Sequence, residues 1–173
     1  KKELKMKKLA FLIVAFAVVL SSCKKDSDDD NKGPNPSSKQ YALVLEQTGT
    51  WCGACPGAAT ILHNLDQTYG SDIVPIAVHG SNGDPMEAPC YSSFRSDRSS
   101  SSFPSFFVPH DRIGASEGSV TAAVDAQLAW TAKAGVDFVA SISGSKMNIE
   151  TKVAFFEASS ETFYLSVFLM EDG

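Results

Sequence analysis

Metal-ligating side chains are scarce in this chain, which has three histidines and four cysteines. Two of the cysteines, Cys52 and Cys55, are closely spaced. Cys90 and the histidines (His63, His79, His110) supply no second paired spacing, so a closed zinc site lacks its other ligands. Clusters of Lys and Arg are lacking outside the N-terminal segment. The formal charge is −5, and it becomes −9 once residues 1–22, with five lysines and one glutamate, are removed. An acidic chain without a basic patch argues against nucleic acid as a partner. Long apolar runs are lacking too. Residues 9–20 form an uninterrupted run of twelve, whereas a helix crossing a bilayer core needs about 20.

What is present at the N-terminus fits export. A basic start, the short apolar run and the small residues after it make residues 1–22 a secretory signal peptide. Leu20-Ser21-Ser22-Cys23 resembles the lipobox of bacterial lipoproteins. That resemblance implies cleavage before Cys23 and its acylation, and two or more acyl chains hold a protein stably on a membrane. Lys24, rather than Asp, directly after the lipidated cysteine implies the outer membrane as the destination. The acidic stretch 26–30 has two readings, a surface-export signal or a charged spacer. Residues 23–40 carry no hydrophobic period and read as a flexible acidic tether.

Trp51-Cys52-Gly53-Ala54-Cys55 carries the chemistry. The apolar run 41–46 before it reads as a parallel strand. Residues 57–69, with Ala58, Ile61, Leu62 and Leu65 on one face, read as a helix ending near Gly70. Residues 73–79 are the next strand, completing a βαβ unit. The irregular insert 80–102 contains one short helix around 86–94. A third strand spans 105–108 and a final helix 119–132, so 41–134 reads as one α/β domain. Two thiols three residues apart at a helix start can close a disulfide and reopen it, because the helix N-terminus favours thiolate.

Val44-Leu45-Glu46-Gln47-Thr48-Gly49-Thr50-Trp51-Cys52-Gly53, Ile76-Ala77-Val78-His79-Gly80 and Phe103-Pro104-Ser105 resemble thioredoxin-fold bacterial outer-membrane lipoproteins. More narrowly, they resemble the twenty-eight-kilodalton outer-membrane lipoprotein family, whose members carry a β-rich C-terminal region. The resemblance covers most of 41–134 and implies a thioredoxin-like domain. It also implies a cis peptide at Phe103-Pro104, lying against the disulfide and offering backbone groups to substrate. The sequence departs from thioredoxin at Ala54, where that motif has proline, and at Pro56 after the second cysteine.

On this reading Cys52 is the nucleophile and Cys55 the resolving thiol. Glu46, six residues before Cys52, matches the buried acid of such motifs and takes the proton of Cys55. Trp51 and Pro104 form the substrate face, and no cofactor or metal is implied. The substrates are protein or peptide thiols and disulfides, handled by a membrane-anchored thiol–disulfide oxidoreductase. The alternative is an outer-membrane surface antigen or binding module that keeps the fold without turnover, its disulfide inert or structural. His79 either approaches the thiols or makes a structural hydrogen bond. Cys90 is either a buried thiol or the partner of a cysteine beyond Gly173.

From 135 onward the period changes to two. Val136, Phe138, Ala140 and Ile142 form one alternating set, Met147, Ile149, Thr151, Val153 and Phe155 a second, and Phe163, Leu165, Val167 and Leu169 a third. Three such strands need a second layer. Residues 135–173 are therefore expected to begin an all-β, sandwich-like region truncated at Gly173.

Overall fold

The computed structural model describes residues 33–170. The signal segment 1–22, the lipidation site Cys23 and the acidic stretch 26–30 lie outside the described residues. Strand β1 (Ala42–Thr48) pairs in parallel with β2 (Ile73–His79), from Ala42 opposite Ile73 to Thr48 opposite His79. Helix α1 (Cys55–Tyr69) and a 3-10 turn (Gly70–Asp72) connect them. Helix α2 (Tyr91–Arg98) precedes β3 (Ser105–Val108), which runs antiparallel to β1. Strand β4 (Asp111–Ile113) pairs antiparallel with β3, and α3 (Glu117–Leu128) follows. The sheet order β2-β1-β3-β4, with this mixture of directions, is the thioredoxin-like arrangement.

Alternation along β1 sends its side chains to two helical layers. Ala42 and Val44 face Ala58 and Leu65 of α1, and Val120 and Val124 of α3, in a core that includes Ile73, Phe106 and Val108. Full burial of one such leucine contributes about 2–3 kcal/mol. Tyr69 at the end of α1 donates its hydroxyl to Asp125 of α3 at 2.6 Å, and that bond pushes the tyrosine up to about 12. On the other layer α2 covers Phe107, with Phe94 edge-on at 5.6 Å and the Arg98 guanidinium 5.5 Å from the Phe107 ring.

Local signals explain the element ends. Gly70 stops α1 with a φ of +51°, which a side chain resists. Ser116 caps α3 by accepting from the Ser119 N–H, so the helix starts two residues earlier than its apolar spacing suggests. Helix α2 begins at Tyr91 instead of 86. Pro85 and Pro89 deny that stretch amide donors and hold the preceding residues extended, so the helix forms only beyond them. Pro75 sits in β2, an edge of the sheet, where a missing N–H is tolerated.

The C-terminal part is a hairpin of β5 (Ala134–Ser143) and β6 (Lys146–Phe155), turning at Gly144 with a φ of +61°. Opposed pairs place Val136 with Val153, Ala140 with Ile149 and Ile142 with Met147 on one face. Asp137 with Lys152, Val139 with Glu150 and Ser141 with Asn148 occupy the other. The expected third strand is not formed: residues 163–169 alternate in type but have no ladder partner. Alternation describes side chains, whereas a strand also requires paired backbone groups. The last part of the expected tether, 34–40, has no regular structure but is held. The Asn35 N–H donates to Asp137 at 2.7 Å, Lys39 pairs with Asp72, and Pro34 is buried.

Candidate active site

The loop from Gly49 to Ala54 leaves β1 and enters α1, and it carries Cys52. The first residue of α1 is Cys55, and the two cysteines are joined by a disulfide with their Cα atoms 5.4 Å apart. The Cys52 N–H donates to the Gly49 carbonyl at 3.0 Å, and the Cys55 N–H to the Cys52 carbonyl at 3.2 Å. Ala54 offers no side-chain cap, and Pro56 fills the first turn, where an N–H is dispensable. The uncapped N–H groups leave partial positive charge beside the sulfurs. Both cysteines are nearly enclosed, Cys52 at 8% and Cys55 at 4% exposure, while neighbouring Trp51 is 42% exposed.

Pro104 reaches the same edge of the sheet. Ser105 lies opposite Gln47 in the β1–β3 ladder, so Pro104 is level with the start of the cysteine loop. The Phe103–Pro104 peptide is cis. The Phe103 ring stands 4.8 Å from the Trp51 ring, tilted by 58°. Tyr91 flanks Phe103 from α2 with ring centroids 6.3 Å apart. Trp51 therefore packs on Phe103, and its indole N–H donates to the carbonyls of Ser81 at 2.8 Å and Gly80 at 3.3 Å.

Glu46 is buried on the face of β1 that it shares with Ala42 and Val44, the face over which α1 packs. Its Oε1 has no hydrogen-bond partner. Burial pushes the carboxyl up from its usual range, against the opposing pull of Thr48 and His79. Burial thereby favours the protonated carboxyl, in a layer shared with the helix that begins at Cys55.

His79 ends β2 beside Thr48, and its ring Nδ1 lies 3.2 Å from Asp84 Oδ2. Its structural contact is thus with Asp84. That aspartate was not legible in the sequence as a site residue. Its carboxylate accepts from the Thr50 N–H at 2.9 Å, the Thr50 hydroxyl at 3.0 Å and the Met86 N–H at 2.9 Å. Burial alone would push Asp84 up. The Met86 and Thr50 N–H groups, with His79 and the Thr50 hydroxyl, outweigh it and lower the group to about 2. The available signal was Ser81-Asn82-Gly83, a turn-forming run that bends the chain back to Asp84. Ser81, Asn82 and Gly83 all have left-handed backbones, with φ of 71°, 53° and 72°. Such a conformation costs a residue like Ser81 about 1 kcal/mol or more.

Cys90 is exposed at the start of α2, so the reading of it as a buried thiol does not hold. Among the described residues no group of three or more His, Cys, Asp and Glu side chains could hold a metal ion. A surface cleft of about 450 Å³ lies against α2, lined by Tyr91, Arg95, Ser96 and neighbouring serines, and neither Cys52 nor Cys55 lines it.

No protein-family model matches the chain, and no curated protein matches it. Solved structures similar to it include HBP35 of Porphyromonas gingivalis, 23% identical with a TM-score of 0.47, covering 62% of this chain and 39% of that one. Mitochondrial thioredoxin 3 from Saccharomyces cerevisiae, in its oxidised form, is 20% identical with a TM-score of 0.38, covering 51% of this chain and 81% of that one. Oxidised thioredoxin from Plasmodium falciparum is 20% identical with a TM-score of 0.39, covering 53% of this chain and 86% of that one. The thioredoxin-like fold of this chain rests on its own strand order and pairing.

Proposed function

We propose that the chain is a lipid-anchored outer-membrane protein that exchanges thiols and disulfides with protein or peptide substrates. The observation that carries this reading is the Cys52–Cys55 disulfide at the uncapped start of α1. A substrate thiolate attacks Cys52 Sγ, the bond to Cys55 breaks, and a mixed disulfide forms on Cys52. Cys55 leaves as a thiolate and takes a proton from Glu46. A second substrate thiolate then attacks the substrate sulfur of the mixed disulfide and releases Cys52. Two electrons pass from substrate to protein, and the reverse sequence reduces a substrate disulfide. Trp51 and Pro104 form the face against which the substrate chain lies. The signal segment 1–22, acylation at Cys23 and the tether 23–40 would deliver this domain to the membrane, as in the twenty-eight-kilodalton outer-membrane lipoproteins that the sequence resembles.

The low exposure of both cysteines favours a second reading, a surface antigen or binding module whose disulfide never turns over. Trapping separates the two. With Cys55→Ser, resolution stops, and adducts on Cys52 accumulate that a denaturing non-reducing gel displays and that vanish with Cys52→Ser. Absence of adducts under both oxidising and reducing conditions would leave the binding module.

A further inference from the structure

The cysteine loop is gripped by the stretch that follows β2. Among the described residues, the side-chain hydrogen bonds that hold 49–53 all reach 80–84. Asp84 takes both the amide and the hydroxyl of Thr50, while the carbonyls of Gly80 and Ser81 take the indole N–H of Trp51. The left-handed run Ser81-Asn82-Gly83 makes the two grips simultaneous. It closes with the Asp84 N–H on the Ser81 carbonyl at 3.1 Å and returns the carboxylate to Thr50. Gly49 is the third part. A Cβ there would meet Trp51 Nε1 at 2.7 Å and Asp84 Oδ2 at 3.2 Å, so any larger residue would push the grips apart. The Asp84 side chain is fully shielded from solvent. His79 Nδ1 and the Met86 N–H hold it from its own side, so it cannot follow the loop if the loop moves.

The two cysteines are held differently. Cys55 is fixed by α1, whereas Cys52 is placed by the turn in which its N–H reaches the Gly49 carbonyl. Two thiols held at bonding distance act on each other at high effective concentration, and that concentration falls as one of them gains freedom. We infer that Asp84 is a positioning residue for the Cys52–Cys55 pair: by fixing Thr50 it fixes the turn that places Cys52, and so favours disulfide over dithiol. This deepens the proposed redox function and rests on that reading for its biological meaning, although the equilibrium itself exists whether or not a protein substrate is turned over.

The test is the equilibrium of the full chain with glutathione. The protein's two thiols give two electrons and two protons to glutathione disulfide, the Cys52–Cys55 bond forms, the glutathione S–S bond breaks, and two glutathione thiols are released. Acid quenching, alkylation and mass mapping of the peptide holding both cysteines give the constant. Asp84→Asn, which keeps the shape but replaces one acceptor oxygen with a donor, should lower it about five- to tenfold; a tenfold change is about 30 mV. Thr50→Val should lower it about two- to threefold, and the double variant no further than Asp84→Asn alone, because both cut one contact. A constant unchanged or raised in both single variants, even with reduced thermal stability, would show a structural role only and overturn the inference. Thr50→Val decides the matter if the Asp84 variant does not fold. Failure of mixed-disulfide trapping, by contrast, would remove turnover and leave this equilibrium measurable.

Discussion

The surroundings of Glu46 alter its chemistry. One of its oxygens has no partner, and burial favours its protonated form. An acid whose folded value lies above its unfolded value binds more protons when folded. Its penalty is absent below about pH 4, grows through the folded value and is complete above it. Glu46→Gln should therefore stabilise the protein at pH 8 by about 1 kcal/mol or more, with the gain fading toward pH 4. Denaturant midpoints across that range measure it. A gain that grew on acidification would contradict the assignment. In trapping and turnover assays the same variant should slow resolution by Cys55.

At the scale of elements, α2 and the stretch before it keep the site in place. Gly80 lies against the buried Tyr91, and a Cβ on Gly80 would overlap its ring. Gly80→Ala should thus lower stability by about 1–3 kcal/mol, read from the denaturant midpoint, and disturb the Trp51 indole contact with the Gly80 carbonyl. A loss below a few tenths would mean that Tyr91 swings aside freely. Much of the fold was legible because local patterns determine it. Residues 73–79 and 105–108 are apolar enough to read as strands, and Ala58, Ile61, Leu62 and Leu65 mark the buried face of α1. The Cys52–Cys55 disulfide was legible from spacing, whereas the cis bond at Pro104 followed only from the family resemblance. Asp84 was not legible, because its role comes from a tertiary approach to Thr50 across 34 positions. Nor was β4, whose three residues carry too short a pattern. The apolar spacing at 163–169 misled, since it could not show whether a ladder partner exists.

At the scale of the whole molecule, apolar surface is distributed unevenly. The hairpin leaves large apolar side chains uncovered, with Phe138 at 62% and Ile142 at 74% exposure, whereas the inner strands of the first sheet are buried. Anchoring belongs to this scale as well. Cys23→Ala removes the proposed acylation site, and fractionation should then find the protein released from membranes; continued retention would count against the lipid anchor. The stretch just before β1 would give the proposed anchor a mechanical meaning. Asn35 is fastened to Asp137, and Ser37 presses its carbonyl against Gly135 at the root of the hairpin. Traction on an upstream tether would meet this clasp before it reached the strand that leads to the cysteines. The hairpin root would then serve as a strain relief, letting the tether tug without loosening the sulfur pair.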